Sequence, residues 1–322
     1  MRTRRLGRSS VEVTALGFGG AGVGNLARAV DDGTAAATVA AAWSAGVRYF
    51  DTAPHYGLGL SERRVGEALR RHPRDSYVLS TKVGRLLVPG PGAPDDAGFA
   101  VAAPLRRRWD FTADGVRRSL EGSLARLGLD RVDVVLIHDP DDHLAAALDG
   151  AYPALHELRA QGVVGAVGVG MNQWQALDRF VRDTDLDLVM VAGRYTLLDQ
   201  SAGEVLLPRC LDRGVSVLAA GVFNSGLLAT DTPAGPYDYR PAPPALVERA
   251  RVIAARCAAH GVALPQAAMA FAARHPAVAG IVVGAQDAEQ VRRNATLFAT
   301  PVPDALWADL AEAGLLHDPR RG

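Results

Sequence analysis

Tyr49-Phe50-Asp51-Thr52-Ala53-Pro54-His55-Tyr56-Gly57, continuing to Ser61-Glu62 and Gly66-Glu67-Ala68-Leu69, reads as a short buried strand, a sharp turn and a helix. Residues 47–50 are apolar and β-prone apart from Arg48. Pro54 and Gly57 break the chain. Ser61 is placed to cap a helix, Glu62 suits its positive start, and Val65, Ala68 and Leu69 share a helical face. Asp51 is the unusual residue. An apolar strand that ends in a carboxylate, with a tyrosine five residues on, brings two ionisable groups to one mouth of a sheet.

Two later stretches repeat the pattern. Residues 77–81 form an apolar strand that ends in Lys82, and residues 132–137 form one that ends in His138. Helical segments lie between these strands. In a parallel α/β barrel the C-terminal ends of neighbouring strands converge on one face, where the chemistry sits. The spacing therefore predicts an α/β fold with Asp51, Lys82, His138 and Tyr56 in one pocket.

A free tyrosine titrates near 10 and is a poor base at neutral pH. A neighbouring lysine favours the phenolate and lowers that value. Asp51 would keep the lysine charged and aimed, and His138 would hydrogen-bond and orient the reacting oxygen. Such a set suits proton transfer at an alcohol or carbonyl oxygen while a hydride moves. No side chain carries a hydride, so a nicotinamide cofactor is implied.

Asp51-Thr52-Ala53-x-x-Tyr56-Gly57, Ser61-Glu62, Gly66-x-Ala68-Leu69, Ser80-Thr81-Lys82 and Ile137-His138 resemble the aldo-keto reductases, and the resemblance spans nearly the whole chain. It implies a (β/α)8 TIM barrel with an N-terminal β-hairpin and long loops at the C-terminal face. It also implies a catalytic tetrad of Asp51, Tyr56, Lys82 and His138, with Tyr56 as general acid/base. The hairpin would span residues 4–13, and residues 14–18 would form the first barrel strand.

The 322 residues exceed a bare barrel of about 250 and fit one with insertions. No linker or internal repeat divides them, so residues 1–322 read as one domain. Equal numbers of basic and acidic residues, 35 of each, argue against nucleic acid as a partner. Cys210 and Cys257 form no close-spaced motif and fit a reducing compartment. With no signal-like or membrane-spanning run, a cytoplasmic location is expected. No feature sets an oligomeric state.

Gly17-x-Gly19-x-x-Gly22 matches the dinucleotide fingerprint, with Asp51 as its ribose-binding acid, but that motif needs a helix opening at the last glycine. Here Gly24, Asn25 and a polar turn intervene before a helix expected over residues 34–45. Asp139-Pro140-Asp141-Asp142-His143 imitates a metal site, but one histidine among loop aspartates is usually just solvated. No metal is expected. Residues 84–110, rich in Pro, Gly, Ala and Asp, read as a long loop and a substrate lid. Arg106-Arg107-Arg108 reads as a solvated basic turn, and Trp109 as either packing or a wall for a sugar.

Further contacts follow from the resemblance. Gly20 belongs to the glycines that let the backbone pass close to the nicotinamide. Asn172 would hold the nicotinamide amide, though it also suits a helix N-cap before Trp174. Tyr195 would stack on the nicotinamide ring. Ala192 replaces the usual glutamine three residues before it. Gly221, Phe223, Ser225, Gly226 and Leu227 would cradle the pyrophosphate after the seventh strand, and residues 231–244 would close over the dinucleotide. Asn294 completes the family's cofactor segment. Gly284 and Gln290 stand where the family has a lysine and an arginine that grip the 2′-phosphate of NADP. A dianionic phosphate wants basic partners, so NAD is expected, with NADP possible through Arg292 or Arg293.

Gly17-Phe18-Gly19-Gly20-Ala21, Gly168-Val169-Gly170-Met171-Asn172, Gly193 to Gln200 and Gly221 to Gly226 resemble one branch of the family, the D-threo-aldose 1-dehydrogenases. L-Fucose dehydrogenases belong to it, and pyridoxal 4-dehydrogenase and L-galactose dehydrogenase are relatives. The implied reaction is oxidation of an aldose's anomeric hydroxyl to a lactone, with His55 and Asn172 among the groups that set stereochemistry. Pyridoxal oxidation, general NADPH-dependent reduction of aldehydes and ketones, and a non-catalytic regulatory barrel remain as alternatives.

Overall fold

Side chains along a strand alternate between its two faces, so a strand buried on both faces feeds two cores. Val134 and Leu136 belong to an inner cluster with Tyr49, Leu188 and Leu218. Val135 and Ile137 belong to an outer cluster with Phe50, Leu79 and Val189. The same parity carries His138 inward, two residues beyond Leu136. It carries Asp51 inward after Tyr49, and Lys82 after Val78 and Ser80.

The structure is a computed structural model that describes residues 1–90, 97–101 and 105–316. Eight strands close into a barrel in the order Leu16–Gly19, Tyr49–Asp51, Val78–Val83, Val134–His138, Ala166–Met171, Leu188–Ala192, Ser216–Ala220 and Val278–Gly284. Every pairing in it is parallel. Parallel neighbours need crossovers, and helices such as Leu60–Leu69, Ala113–Leu127 and Trp174–Asp183 supply them from the outside. The outer cluster is the seam between those helices and the strands.

The barrel is closed at the bottom by a hairpin, Thr3–Arg5 against Glu12–Thr14, whose Leu6, Val11 and Val13 join the inner cluster. Just above, Gly17 is required by its neighbour: a Cβ there would lie 2.6 Å from the Tyr49 ring. The inner core is therefore packed side chains, and only its upper end is open to chemistry.

Several local expectations are corrected. The helix after Gly57 runs Leu60–Leu69 and starts from Gly59, at φ +87°, so Ser61 is not its cap. The Ser61 hydroxyl instead ties Thr52 (2.8 Å) to the Gly20 carbonyl (2.8 Å), a better use for a buried hydroxyl than solvent-facing capping. The glycine fingerprint ends in a single 3₁₀ turn, Gly22–Gly24, and the next α-helix is Asp32–Ser44, capped by the Asp31 carboxylate. Asn172 is not an N-cap either; Gln173 holds that position before Trp174–Asp183.

The stretch expected to be a long loop is partly a hairpin. Arg85–Pro89 pairs antiparallel with Leu105–Trp109, so Arg106, Arg107 and Arg108 lie in a strand. The part of that stretch at 91–96 and 102–104 lies outside the described residues. The later loop also carries a small hairpin, Pro236–Tyr237 against Arg240–Pro241. No described helix is long and apolar enough to cross a membrane.

Candidate active site

Strand register sets the heights of the four expected residues. Asp51 pairs with Ser80, Lys82 with Leu136, and His138 with Gly170. Three adjacent strands thus end in inward-facing polar groups at the barrel mouth. Tyr56 arrives from the turn after Asp51, where Gly57 adopts φ +63°; a Cβ there would lie 2.2 Å from the Gly24 carbonyl oxygen, so glycine is required.

Lys82 organises the group. Its Nζ donates to Asp51 Oδ2 at 2.6 Å, to the Thr52 carbonyl at 3.1 Å and to Tyr56 Oη at 3.0 Å. Asp51 Oδ1 accepts from Ser80 Oγ at 2.7 Å, and that hydroxyl lies 2.9 Å from Tyr49 Oη. Asp51 and Lys82 are each 2 % exposed. A buried ion pair persists only when its remaining hydrogen-bonding capacity is met; here Thr52, Ser80 and Tyr56 meet it.

Electrostatics correct one expectation. Burial pushes the Tyr56 phenol up to about 12, and Lys82 only opposes that rise. The lysine's pull is present, but desolvation of the ring outweighs it. Burial also works against the Lys82 ammonium, yet Asp51 and Tyr56 together outweigh it and raise its pKa. Burial, with Arg85 and Lys82 adding repulsion, holds His138 well below the usual histidine range. His138 is therefore a neutral hydrogen-bonding group, its ring edge-on to Tyr56 at 5.8 Å.

A cavity of about 570 Å³ opens above this group. Asp51, Tyr56, Lys82, His138, His55 and Asn172 line it. So do Gly221, Phe223, Ser225, Gly226, Gly284 and Gln290. Its size suits a cofactor or a small ligand. The wall after Ser216–Ala220 is built from left-handed backbone at Gly221 (φ +61°), Asn224 (+46°), Ser225 (+60°) and Gly226 (+108°). The turn closes on itself, the Asn224 amide donating to the Gly221 carbonyl at 2.8 Å and the Gly226 amide to the Phe223 carbonyl at 3.0 Å, and its small residues leave room beside the cavity. Gly284 leaves open space, with nothing nearer than 3.7 Å to a Cβ built on it. The residues present thus fit a nicotinamide dinucleotide: the ionisable group of Asp51, Tyr56, Lys82 and His138, a turn of small residues after the seventh strand and room along the eighth.

Five expected contacts do not line this cavity. Tyr195 packs its ring on Phe271 at 5.1 Å in the outer cluster, two residues after Gly193 at φ +70°. Ala220 faces the cavity from the neighbouring strand. Leu227 is fully buried in the outer core, and Asn294 is buried below the eighth strand beside Leu16 and Val47. Gly20 lies behind the wall, where a Cβ would meet Ser61 Oγ at 2.6 Å. Trp109 is 45 % exposed and stacks on Arg85 and Phe111.

The structure also adds residues that the sequence reading missed. Asp139 lines the cavity directly after His138, and its Oδ2 accepts from Arg85 Nη2 at 2.5 Å. Arg85 Nη1 also donates to His55 Nδ1 at 2.8 Å, and Arg107 donates to the His55 carbonyl at 2.8 Å. Burial and the Arg85 charge drive His55 down to about 2, so it too is neutral. Phe99 stacks near Tyr56 at 6.1 Å. Arg194 grips Asp238 with two bonds, 3.0 and 2.6 Å, and so fastens the loop that brings Tyr239 to the cavity rim. No group of three or more potential metal ligands occurs among the described residues.

Comparison with known proteins points the same way as the geometry. The aldo/keto reductase family profile matches residues 15–314. A D-threo-aldose 1-dehydrogenase of a Pseudomonas species is 50 % identical over 319 residues, 97 % of each chain. A pyridoxal 4-dehydrogenase of Microbacterium luteolum is 39 % identical over 336 residues, again 97 % of each chain. Among solved structures, an aldo-keto reductase of Bacillus halodurans in its holo form superposes with a TM-score of 0.78 at 25 % identity, covering 100 % of both chains. The chain belongs to the aldo/keto reductase family of nicotinamide-dependent oxidoreductases.

Proposed function

We propose that the chain oxidises the anomeric hydroxyl of an aldose to a lactone, with NAD as the hydride acceptor. The observation that carries this reading is the 50 % identity with a D-threo-aldose 1-dehydrogenase across 97 % of both chains.

In this reading Tyr56 first gives up its own proton, and as the phenolate it takes the proton of the anomeric hydroxyl and returns to the phenol. Lys82, held by Asp51, supplies the positive charge that stabilises the phenolate before that proton arrives. Neutral His138 donates a hydrogen bond to the same substrate oxygen and fixes its direction. Ala220, Asn172 and the turn from Gly221 to Gly226 would hold the cofactor. When bound, the nicotinamide accepts the hydride released from the anomeric carbon. Tyr239, brought in by the Arg194–Asp238 pair, would exclude water from the mouth.

The preference for NAD rests on the end of the cavity near Gly284. Gln290 is committed to the helix start: its Oε1 accepts from Gln286 N at 3.0 Å and its Nε2 donates to Asp287 Oδ2 at 2.9 Å. Asp287 already places a carboxylate on that helix N-terminus through its bond to Gln290 N. The nearby Arg28 is partly neutralised by Asp287 at 3.5 Å. A 2′-phosphate would meet an acidic neighbour and no dedicated cation.

A second reading, oxidation of pyridoxal, is favoured by the 39 % relative, at a lower identity than the 50 % of the aldose dehydrogenase. The test is reduced-nicotinamide absorbance with L-fucose, D-arabinose, L-galactose and pyridoxal, each against NAD and NADP. Growth with a sugar and NAD is expected. Growth with pyridoxal alone moves the chain to the other relative, and consumption of NADPH by simple aldehydes alone overturns the dehydrogenase reading.

A further inference from the structure

Asp139 carries more strain and more charge than a connecting residue needs. It adopts φ +41°, a left-handed conformation that non-glycine residues seldom take. It also precedes Pro140, whose ring pushes the preceding residue toward extended backbone. Strain of this kind persists only where the surroundings enforce it, and it gathers at functional sites. Here the enforcement is visible. The Asp139 amide donates to the Gly170 carbonyl at 3.0 Å, and its Oδ2 accepts from Arg85 Nη2 at 2.5 Å.

The result is a carboxylate aimed into the cavity. Oδ2 lies 3.5 Å from His138 Nε2, so it sits beside the imidazole that would orient the reacting oxygen. The side chain keeps 29 % exposure and lines the same cavity as Tyr56 and Lys82. An ionised carboxylate offers about four lone-pair sites and no donor. Arg85 uses one of them. The sites left over can accept hydrogen bonds from hydroxyl donors close to whatever oxygen meets His138, whose Nε2 is 3.5 Å away. Arg85 itself is 9 % exposed and also holds His55, so the carboxylate cannot swing freely.

We infer that Asp139 is the specificity residue for polyhydroxylated substrates: its carboxylate accepts the hydrogen bond of the hydroxyl on carbon 2 of the aldose, next to the anomeric carbon, and Arg85 is its positioning residue. This rests on the aldose reading above. It explains why a half-buried ion pair is placed where a simple carbonyl substrate would gain from an apolar wall.

The experiment compares the best aldose with its 2-deoxy analogue. In the unchanged enzyme kcat/KM is expected to fall about 10–100-fold on loss of that hydroxyl, the range for a hydrogen bond to a charged acceptor. Asp139→Asn, which keeps left-handed backbone accessible, is expected to bring the ratio between the two sugars to within about threefold. Arg85→Met is expected to shrink the ratio by freeing the carboxylate, and it serves should the first variant not fold. Equal turnover of the two sugars by the unchanged enzyme overturns the inference without any variant. A full ratio retained in Asp139→Asn also overturns it. If no aldose is oxidised at all, the aldose reading falls first and this inference with it.

Discussion

Lys82 Nζ stands between two groups of opposite need: Asp51 Oδ2 at 2.6 Å, which wants a cation, and Tyr56 Oη at 3.0 Å, which wants one only when ionised. The ammonium is fixed by the first so that it is available to the second. Tyr56→Phe removes only the oxygen and leaves the ring on Phe99. Turnover is expected to fall by about 10²–10⁴-fold, the usual contribution of a positioned acid/base group. Cofactor affinity, followed by quenching of protein fluorescence, is expected to stay within about twofold because the cradle is untouched. Retained activity would remove Tyr56 from the reaction.

The same relationship predicts a stability effect. Lys82→Met strips the cation and leaves Asp51 buried and uncompensated, which costs about 3–5 kcal/mol. Adding Asp51→Asn to that variant is expected to recover much of the loss, because no charge is then stranded. Urea denaturation of the single and double variants measures this. A double variant no more stable than the single one shows that the pair is not coupled.

His138 sets a pH dependence with a definite sign. Its folded pKa lies well below the unfolded value of about 6.5. Below about 6.5 the unfolded chain therefore binds a proton that the folded chain does not, and stability is lost as pH falls, by up to roughly 1.4 kcal/mol per pH unit for this group. Above about 6.5 it contributes no slope. His55, driven down to about 2 by burial and then Arg85, adds a second loss of the same sign. Unfolding free energies at several pH values, for the unchanged protein and for His138→Asn, are expected to show a shallower acid slope in the variant. Equal slopes would mean that His138 titrates normally in the fold.

Cofactor choice is open to direct alteration. Gly284→Lys enters open space, since a Cβ there meets nothing within 3.7 Å. Gln290→Arg gives up the bonds to Gln286 and Asp287 but adds a cation facing the cavity. Together they are expected to raise the NADP-to-NAD ratio of kcat/KM by about tenfold or more, one charge-assisted bond being worth that much. An unmoved ratio assigns the choice to Arg28 or to Arg292 and Arg293.

The Arg194–Asp238 pair predicts a kinetic effect. It fastens the segment bearing Tyr239, and Tyr237 Oη reinforces it by donating to Asp199 at 2.9 Å. Arg194→Ala is expected to speed cofactor release about tenfold in stopped-flow fluorescence, with a smaller change in the association rate. An unchanged release rate would show that this loop is not a gate.

Much of the site was legible because its signals are local. Period-2 parity turns Asp51, Lys82 and His138 inward once their strands are identified, and a helix between successive strands forces a parallel order. Glycines were legible only as permission for unusual backbone; that Gly17 makes way for Tyr49 is a contact between two strands, and no spacing records it. Tyr195 shows the limit of a motif. The resemblance set it on the nicotinamide, and in the structure its ring packs on Phe271, a contact between residues 76 positions apart that no local pattern records.

By itself the sequence determined the alternation of strands and helices and the strands that end in Asp51, Lys82 and His138, which are patterns a few residues long fixed by backbone geometry. The closed eight-stranded barrel and the weight of the non-basic positions 284 and 290 came from the resemblance to a family. Only the tertiary structure decided the rest. Whether Lys82 or burial governs the Tyr56 phenol is a balance of desolvation against one charge at 3.0 Å, and neither quantity exists before the chain closes. Asp139 and Arg85 are 54 residues apart, and nothing in either neighbourhood points to the other. They meet because a hairpin after the third barrel strand folds back over the end of the fourth, and the sum of those packing choices sets the chemistry of the cavity.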